Sequence, residues 1–254
     1  SFLSSFGEGP DGELYLLDFG GALFRLDFDA DQIVAQVADG RIPQGAFRSR
    51  ILLVNPHDVP VTAEIELFSS WGERVEVGWK EEGRNPSDPF TLEPRSTLSF
   101  ETSGVSDPVF SGWARVKSDR SVEVTSLYSL RDAAGRVTAE AGVASEPSEK
   151  SLIARVPTGG LSAARALALV NPGDFPTAVT LSISGNERNE SREFQLPPGE
   201  KRARFLNEWF EGLPPDFGGD LIVSADQPIA ATLLRTRNGL PLSSLPLAAL
   251  VSED

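Results

Sequence analysis

Apolar and polar residues alternate along much of the chain, and this alternation predicts β-strands. In residues 61–67, valine, alanine, isoleucine and leucine interleave with threonine and glutamate. This period of two turns one strand face to a core and the other to water. The alternation recurs at 75–79, 122–124 and 179–183, with Asn-Pro, Gly-Asn and Asn-Gly turn pairs between the strands. Short strands joined by turns in this way predict antiparallel β-sandwiches.

Three blocks of sequence occur twice in the same order. The pattern Leu-Val-Asn-Pro-x-Asp-x-Pro occupies residues 53–60 and returns 116 positions later. The pair FTLEP and FQLPP follows at an offset of 104, and the pair GWARVKSDRSVEVTSL and GDLIVSADQPIAATLL at an offset of 107. We interpret these blocks as a duplication whose first copy carries twelve extra residues, mostly in the loop 80–89.

The repeat and a polar connection divide the chain into parts. The segment ASEPSEK at 144–150 is polar and contains proline, which is typical of a short linker. We therefore predict an all-β chain with an N-terminal β-hairpin arm at 1–39. Two tandem antiparallel β-sandwich (Ig-like) domains follow at 40–146 and 151–254. In the second of these, residues 202–213 are expected to form a turn or two of helix that caps one end.

Composition narrows the classes of partner. The chain has 23 basic and 37 acidic side chains, a formal net charge of −14 that repels phosphate backbones and anionic lipid headgroups. Its apolar runs are shorter than the ~20 residues that cross a bilayer. We therefore expect no nucleic-acid partner and no membrane insertion. The chain contains neither cysteine nor methionine, so no thiolate site is available and we expect the chain to be part of a longer product.

The predicted arm carries a β-hairpin around the sequence DFGG, whose glycines permit a tight reversal. An isolated hairpin is marginal in water, so its apolar side chains need a partner surface. The hairpin could complete an upstream propeller, fold back on its own sandwich, or add to the sheet of a neighbouring copy. Head-to-tail addition would build a filament. The residues predicted to form this subunit interface are Leu14, Tyr15, Leu16, Leu17, Leu23, Phe24 and Leu26.

Two polar motifs invite a chemical interpretation. His57 and Asp58 lie in the repeated turn, but the second copy has Gly173 in place of the histidine, so we interpret His57 as a turn residue. Asp27, Asp29 and Asp31 have the spacing of a calcium loop without its glycine and glutamate, so we interpret them as a solvated strand face. We predict no catalytic residues and no metal site.

Tryptophans offer the best candidate ligand contacts. Trp79 continues an apolar stripe and is predicted to lie in the core. Trp71 and Trp113 have no aromatic counterpart in the second copy. We predict that these two are exposed and able to stack on a polysaccharide.

The sequence resembles two known families. The LVNP and FxLxP units, with RFLNEWFEGLPPDFGGDLIVSADQPIAATLLRTRNG, resemble a tandem all-β module at the C-termini of large exported bacterial proteins. That resemblance implies an accessory or surface role. SFGEGPDGELYLLDFGGALFRL resembles the closing strands of the six-bladed propeller of glucose/sorbosone dehydrogenases, the pyrroloquinoline quinone family. The catalytic histidine and the cofactor- and calcium-binding residues of that family lie in earlier blades, so the resemblance implies neither cofactor nor dehydrogenase activity here.

These observations lead to two expectations about function. The first is a non-enzymatic, exported bacterial structural protein, a homopolymer at the cell surface or outside the cell in which the arm joins successive subunits. The alternative is an accessory carbohydrate- or cell-wall-binding module of a quinoprotein dehydrogenase-like protein.

Overall fold

The chain forms an all-β, sandwich-like structure, as the alternation predicts. The computed structural model describes residues 3–8, 14–18, 23–26, 31–80, 85–145, 148–158, 163–214, 216–237, 240–245 and 247–250. For the strands before residue 31, and for residues 163, 237 and 240–242, it describes the backbone alone.

The arm is a three-stranded antiparallel sheet. Its strands are β1 (Leu3–Glu8), β2 (Leu14–Asp18) and β3 (Leu23–Leu26), in the order β1-β2-β3. Leu17 pairs with Leu23, which confirms the predicted hairpin, and Gly7 pairs with Tyr15 in the additional strand. The side chains of the seven predicted interface residues lie outside the described part of the structure, so their docking stays a prediction.

The first sandwich has two layers that share one strand. Its strands are β4 (Gln32–Ile42), β5 (Gly45–Val54), β6 (Val61–Ser69), β7 (Arg74–Val75), β8 (Phe90–Leu92), β9 (Thr97–Glu101), β10 (Phe110–Ser118), β11 (Glu123–Arg131) and β12 (Val137–Ala144). One layer has the order β4-β10-β6, with β7 and β8 paired to β6; the other has the order β12-β11-β5-β9. Residues 32–39 of β4 pair with β10 and residues 40–42 with β5. The predicted boundary between residues 39 and 40 is therefore wrong, because it falls inside this strand.

The second sandwich repeats this plan. Its elements are β13 (Glu149–Val156), β14 (Ala163–Val170), β15 (Thr177–Gly185), β16 (Arg188–Leu196), β17 (Lys201–Phe205), α1 (Leu206–Trp209), β18 (Gly219–Arg237), β19 (Leu240–Leu245) and β20 (Ala248–Ala249). One layer has the order β16-β15-β18-β13-β20, and the other β17-β14-β18-β19. The long strand β18 serves both layers, where the first sandwich uses the separate strands β10 and β11.

The strand registers confirm the duplication. Ile65 pairs with Val116, and the equivalent residues of the second copy, Leu181 and Val223, also pair. Arg50 pairs with Glu101, and their equivalents Ala166 and Phe205 pair as well. The extra residues of the first copy lie between β7 and β8, in the region where the second copy has the single strand β16.

Each sandwich has an apolar core, and Leu234 of β18 also packs into the first. The alternating residues Val61, Ala63, Ile65 and Leu67 are all buried in the first. The predicted helical segment is a single turn, α1, whose Leu206 and Trp209 are buried in the second core. Trp79 packs against the first core and meets Phe100 edge-on, with ring centroids 6.1 Å apart.

The two sandwiches meet at a packed surface, here called the junction. Its apolar residues are Ile33, Ala35, Phe68, Trp113, Val170 and Ala230. The Trp113 indole nitrogen donates a 2.9 Å hydrogen bond to the carbonyl of Gly199 in the other sandwich. Gly199 also lies against Gly72, where a Cβ on either residue would come within 2.9 Å of the other's backbone. Both positions require glycine, because the two turns touch through their main chains.

Candidate functional site

The repeated motif builds a loop around a buried asparagine. Asn171 donates side-chain hydrogen bonds of 2.8 Å to the carbonyl of Phe175 and 3.0 Å to that of Leu196, and its side-chain oxygen accepts one from the amide of Gly173. Asn55 makes the equivalent bonds in the first copy, to the carbonyls of Val59 and Leu92. The asparagine satisfies main-chain groups in a loop that cannot pair in a sheet. The sequence repeats at this point because the fold needs that loop twice.

The second copy of the loop presents an aromatic ring. The main chain of Phe175 is fixed by Asn171, yet 73% of the residue's surface is exposed. The equivalent residue in the first copy is the smaller Val59. Phe175 is therefore a large apolar side chain that is exposed to water on an anchored backbone.

Phe175 lies at a cleft lined by residues of both sandwiches. The cleft has a volume of about 530 Å³. The residues that line it are Asp31, Gln32, Ile33, Arg115, Ser148, Pro172, Gly173, Asp174, Phe175, Gln227 and Pro228. Clefts of this size at the meeting of two domains are common sites for small ligands.

Arg115 is fixed in the wall of the cleft. Its guanidinium lies over the rings of Phe68 and Trp113, 5.5 Å from each centroid, and donates a hydrogen bond to the carbonyl of Pro172. Its Nε atom lies 3.4 Å from Asp31 Oδ2. The cation thus connects the first sandwich to the base of the Phe175 loop, so it is positioned before any ligand arrives.

The remaining polar groups of the cleft suit neutral polar ligands. Gln32 and Asp31 are partly exposed, and Asp174 and Gln227 are exposed. Gln32 is oriented by the Ser145 hydroxyl, which donates a 2.7 Å hydrogen bond to its side-chain oxygen. Amide and carboxylate groups beside an aromatic ring can hydrogen-bond hydroxyls while the ring contacts an apolar face.

The two tryptophans predicted to contact ligand differ sharply. Trp71 lies in the turn between β6 and β7 and is 78% exposed, as expected. Trp113 is only 1% exposed and stacks on Phe68 with ring centroids 4.2 Å apart, so the prediction that it is exposed is wrong. Trp113 lacks an aromatic counterpart because it fills the junction. Neither tryptophan lines the cleft.

The geometry around His57 does not assemble a catalytic triad. Its Nε2 atom lies 2.9 Å from the carbonyl oxygen of Ser121 and 3.3 Å from the hydroxyl of the same residue. A carbonyl only accepts, so the imidazole donates there and cannot take a proton from that hydroxyl. Asp58 accepts a 2.6 Å hydrogen bond from Arg95, which lowers the pKa of its carboxyl group.

Of the three acids with calcium-loop spacing, Asp31 alone lies in the described part of the chain, where it faces Arg115; Asp27 and Asp29 lie outside it. Among the described residues no three metal-ligating side chains converge. No helix in the described ranges is long and apolar enough to cross a membrane.

Comparison with known proteins finds no family model and no curated protein that matches the chain.

Sequence reasoning missed the cleft because its lining comes from distant segments of both copies. The sequence contained one signal that could have pointed to the cleft. The repeat places Phe175 where the first copy has Val59, between the same two prolines, and an aromatic residue in an anchored polar turn has little reason to be there for folding.

Proposed function

We propose that this chain is a non-enzymatic accessory module that binds a polysaccharide in the cleft beside Phe175. The observation that carries the proposal is the ring of Phe175, exposed on an anchored main chain at a cleft with polar side chains around it. This is the alternative function expected from the sequence, with the binding surface moved from Trp71 and Trp113 to the cleft.

A sugar ring matches the chemistry of the cleft. One face of a pyranose carries C–H groups that pack on an aromatic ring, while its edge carries hydroxyls that both donate and accept. Gln32, Asp174 and Gln227 supply acceptors and donors for such hydroxyls, and Arg115 supplies a fixed donor. The mixture favours a neutral sugar over a purely apolar ligand.

The junction supports the proposal by keeping the cleft rigid. Trp113, Lys201 and Arg115 each bond from one sandwich to the other. A site that is ordered before binding loses less entropy when the ligand arrives, so modest contacts give useful affinity.

Affinity electrophoresis of the full chain through gels containing single soluble polysaccharides tests the proposal. A panel of β-glucan, xylan, galactomannan and soluble peptidoglycan fragments covers the main sugar classes. For a polysaccharide that retards the chain, Phe175→Ala should weaken binding about tenfold, because a tenfold change in affinity corresponds to the free energy of one aromatic contact. Val59→Ala, the matched change in the first copy, should leave retardation within about twofold. Unchanged retardation of Phe175→Ala would overturn the assignment of the cleft.

Trp71 provides the competing site on the same molecule. If Trp71→Ala abolishes retardation while Phe175→Ala does not, the polysaccharide binds the β6–β7 turn instead. If no polysaccharide of the panel retards the wild-type chain, the carbohydrate proposal fails.

The arm favours a second candidate function, a filament subunit. Its strands β1–β3 form a sheet of their own, whose edges β1 and β3 offer backbone groups for strand addition. Negative-stain microscopy of the full chain should then show polymers, and deletion of residues 1–30 should abolish them. Monodisperse particles from the full chain would contradict the filament, and polymers that survive the deletion would show that the arm is not the joint.

A further inference from the structure

Four basic side chains converge on one buried carboxylate in the first sandwich. Glu101 lies at the end of β9, and its side chain is 4% exposed. Lys80 Nζ lies 2.8 Å from Glu101 Oε1, and a terminal nitrogen of Arg48 lies 3.3 Å from the same oxygen. Arg50 Nε donates a 3.0 Å hydrogen bond to Oε2. A terminal nitrogen of Arg131 lies 3.8 Å from Oε1. The four cations therefore share one buried carboxylate.

A cavity of about 460 Å³ lies beside this cluster and is here called the arginine cavity. Arg41, Arg48 and Arg131 line it together with Ser103 and Gly104. Within the described structure, the Nε atoms of Arg48 and Arg131 and the hydroxyl of Ser103 are buried without a hydrogen-bond partner. Buried donors are almost always satisfied. All three groups belong to residues that line the cavity, so its wall is rich in hydrogen-bond donors.

The acidic residue on the rim is not an acceptor for these donors. Asp132 lines the cavity, but its carboxylate accepts hydrogen bonds from the guanidinium and amide of Arg136 and from the amide of Ala134. The carboxylate of Asp132 therefore already has hydrogen-bond partners within its own turn. The cluster is locally basic although the whole chain has a net charge of −14.

The fold does not require this cluster. In the second copy the positions of Arg48, Arg50 and Glu101 are occupied by Ala164, Ala166 and Phe205. Ala166 and Phe205 pair in the same register as Arg50 and Glu101. The same strand arrangement therefore forms without any of these charges.

We propose that the arginine cavity binds an oxyanion group, a sulfate, phosphate or carboxylate, carried by a free anion or by an acidic polysaccharide. Guanidinium groups present their N–H donors in a planar fork that matches the oxygens of such groups. Among the described residues none lines both this cavity and the Phe175 cleft, so the inference stands independently of the proposed function.

Isothermal titration of the full chain at low ionic strength tests this site. The probes are sodium sulfate, sodium phosphate, sulfated dextran oligosaccharide and oligogalacturonate, with sodium chloride at equal ionic strength as reference. Arg48→Gln and Arg131→Gln should each weaken binding of the best probe about tenfold or more, the loss expected for one charge-assisted hydrogen bond. Arg95→Gln removes the same charge from an exposed ion pair elsewhere and should change the affinity by less than about twofold.

The relative affinities of the probes show whether the bound oxyanion group belongs to a free anion or to an acidic polysaccharide. Binding of inorganic sulfate or phosphate alone assigns a free anion, and binding of the polymers at least tenfold more tightly than inorganic anions assigns an acidic polysaccharide. Arg41 lies exposed on the rim, so Arg41→Gln should not disturb the fold. Weaker binding of the probe by Arg41→Gln would therefore support the site even if Arg48→Gln or Arg131→Gln misfolds. No binding above the chloride reference, or equal binding by the wild type and all three cavity variants, would overturn the proposal.

Discussion

Lys201 of the second sandwich donates a 2.6 Å hydrogen bond to the side-chain oxygen of Gln36 in the first, and a 2.7 Å hydrogen bond to the carbonyl of Gly112. Its ammonium group faces these two neutral acceptors in the buried junction, and burial lowers the pKa of Lys201 to about 7. A charge that is poorly solvated in the folded chain makes the junction sensitive to pH.

We predict that Lys201→Met changes the pH dependence of stability. The pKa of Lys201 is about 7 in the folded chain against an ordinary value of 10.5. Between these pH values the unfolded chain holds the proton and the folded chain does not, so raising the pH increases the free energy of unfolding. From pH 7 to pH 10 the wild type should gain on the order of a few kcal/mol relative to Lys201→Met. Urea denaturation of both proteins at several pH values checks this, and parallel profiles would contradict it.

Trp113 and Trp71 provide a matched pair of aromatic substitutions. Trp113→Ala opens a cavity in the junction and breaks the bond to Gly199, so we expect a loss of about 3–5 kcal/mol. Trp71→Ala removes an exposed ring and should cost less than about 0.5 kcal/mol. Thermal denaturation distinguishes the two. Equal losses would mean that the junction is not packed as described.

The buried asparagines of the repeat should be essential for stability. Asn55→Ala or Asn171→Ala leaves several buried main-chain groups without partners, which should cost roughly 2–4 kcal/mol in either copy. Asn85, whose side-chain oxygen accepts a 3.1 Å hydrogen bond from the amide of Ser87 in an exposed turn, is the control. Asn85→Ala should cost less than about 1 kcal/mol in the same urea denaturation experiment. A loss as large as that of Asn171→Ala would show that burial of the amide is not what matters.

Glu101 links stability to the arginine cavity. Burial alone would raise its pKa, but hydrogen bonds from Lys80 and Arg50 outweigh burial and lower the pKa to about 2. The folded pKa lies below the ordinary value of 4.5, so the stabilisation is complete above that pH and is lost as the pH falls towards 2.

We therefore predict that Glu101→Gln lowers the melting temperature at pH 7, and that the difference from wild type shrinks below pH 4.5. Sulfate should restore part of the loss, because an anion in the cavity replaces the missing charge. Glu123→Gln, an exposed substitution on β11, is the control and should show neither effect. A pH-independent loss without sulfate rescue would contradict this account of Glu101.

The fold class and the duplication could be predicted from sequence because both depend on local patterns. Strand β4 could not be placed in the first sandwich in the same way. Val34 and Val37 face the first core while Ile33 and Ala35 face the junction. A strand buried on both faces loses the alternation that marks a half-exposed one. The predicted boundary therefore cut through it.

The junction and the cleft depend on contacts between distant segments, which a single sequence does not reveal. Gln36 and Lys201 are 165 positions apart, and Trp113 and Gly199 are 86 apart. Trp71 and Trp113 look alike in sequence, since neither has an aromatic equivalent in the second copy. Packing of the second sandwich against the first buries Trp113 and leaves Trp71 in water.

The most direct test of the central claim is to map the bound sugar on the full chain by ¹⁵N–¹H correlation spectra during titration with an oligosaccharide of the retarding polysaccharide. The account predicts the largest shifts at Gly173, Asp174 and Phe175, with further shifts at Gln227 and the Arg115 side chain. Shifts centred on Trp71 and the β6–β7 turn, or on β1–β3, would contradict it.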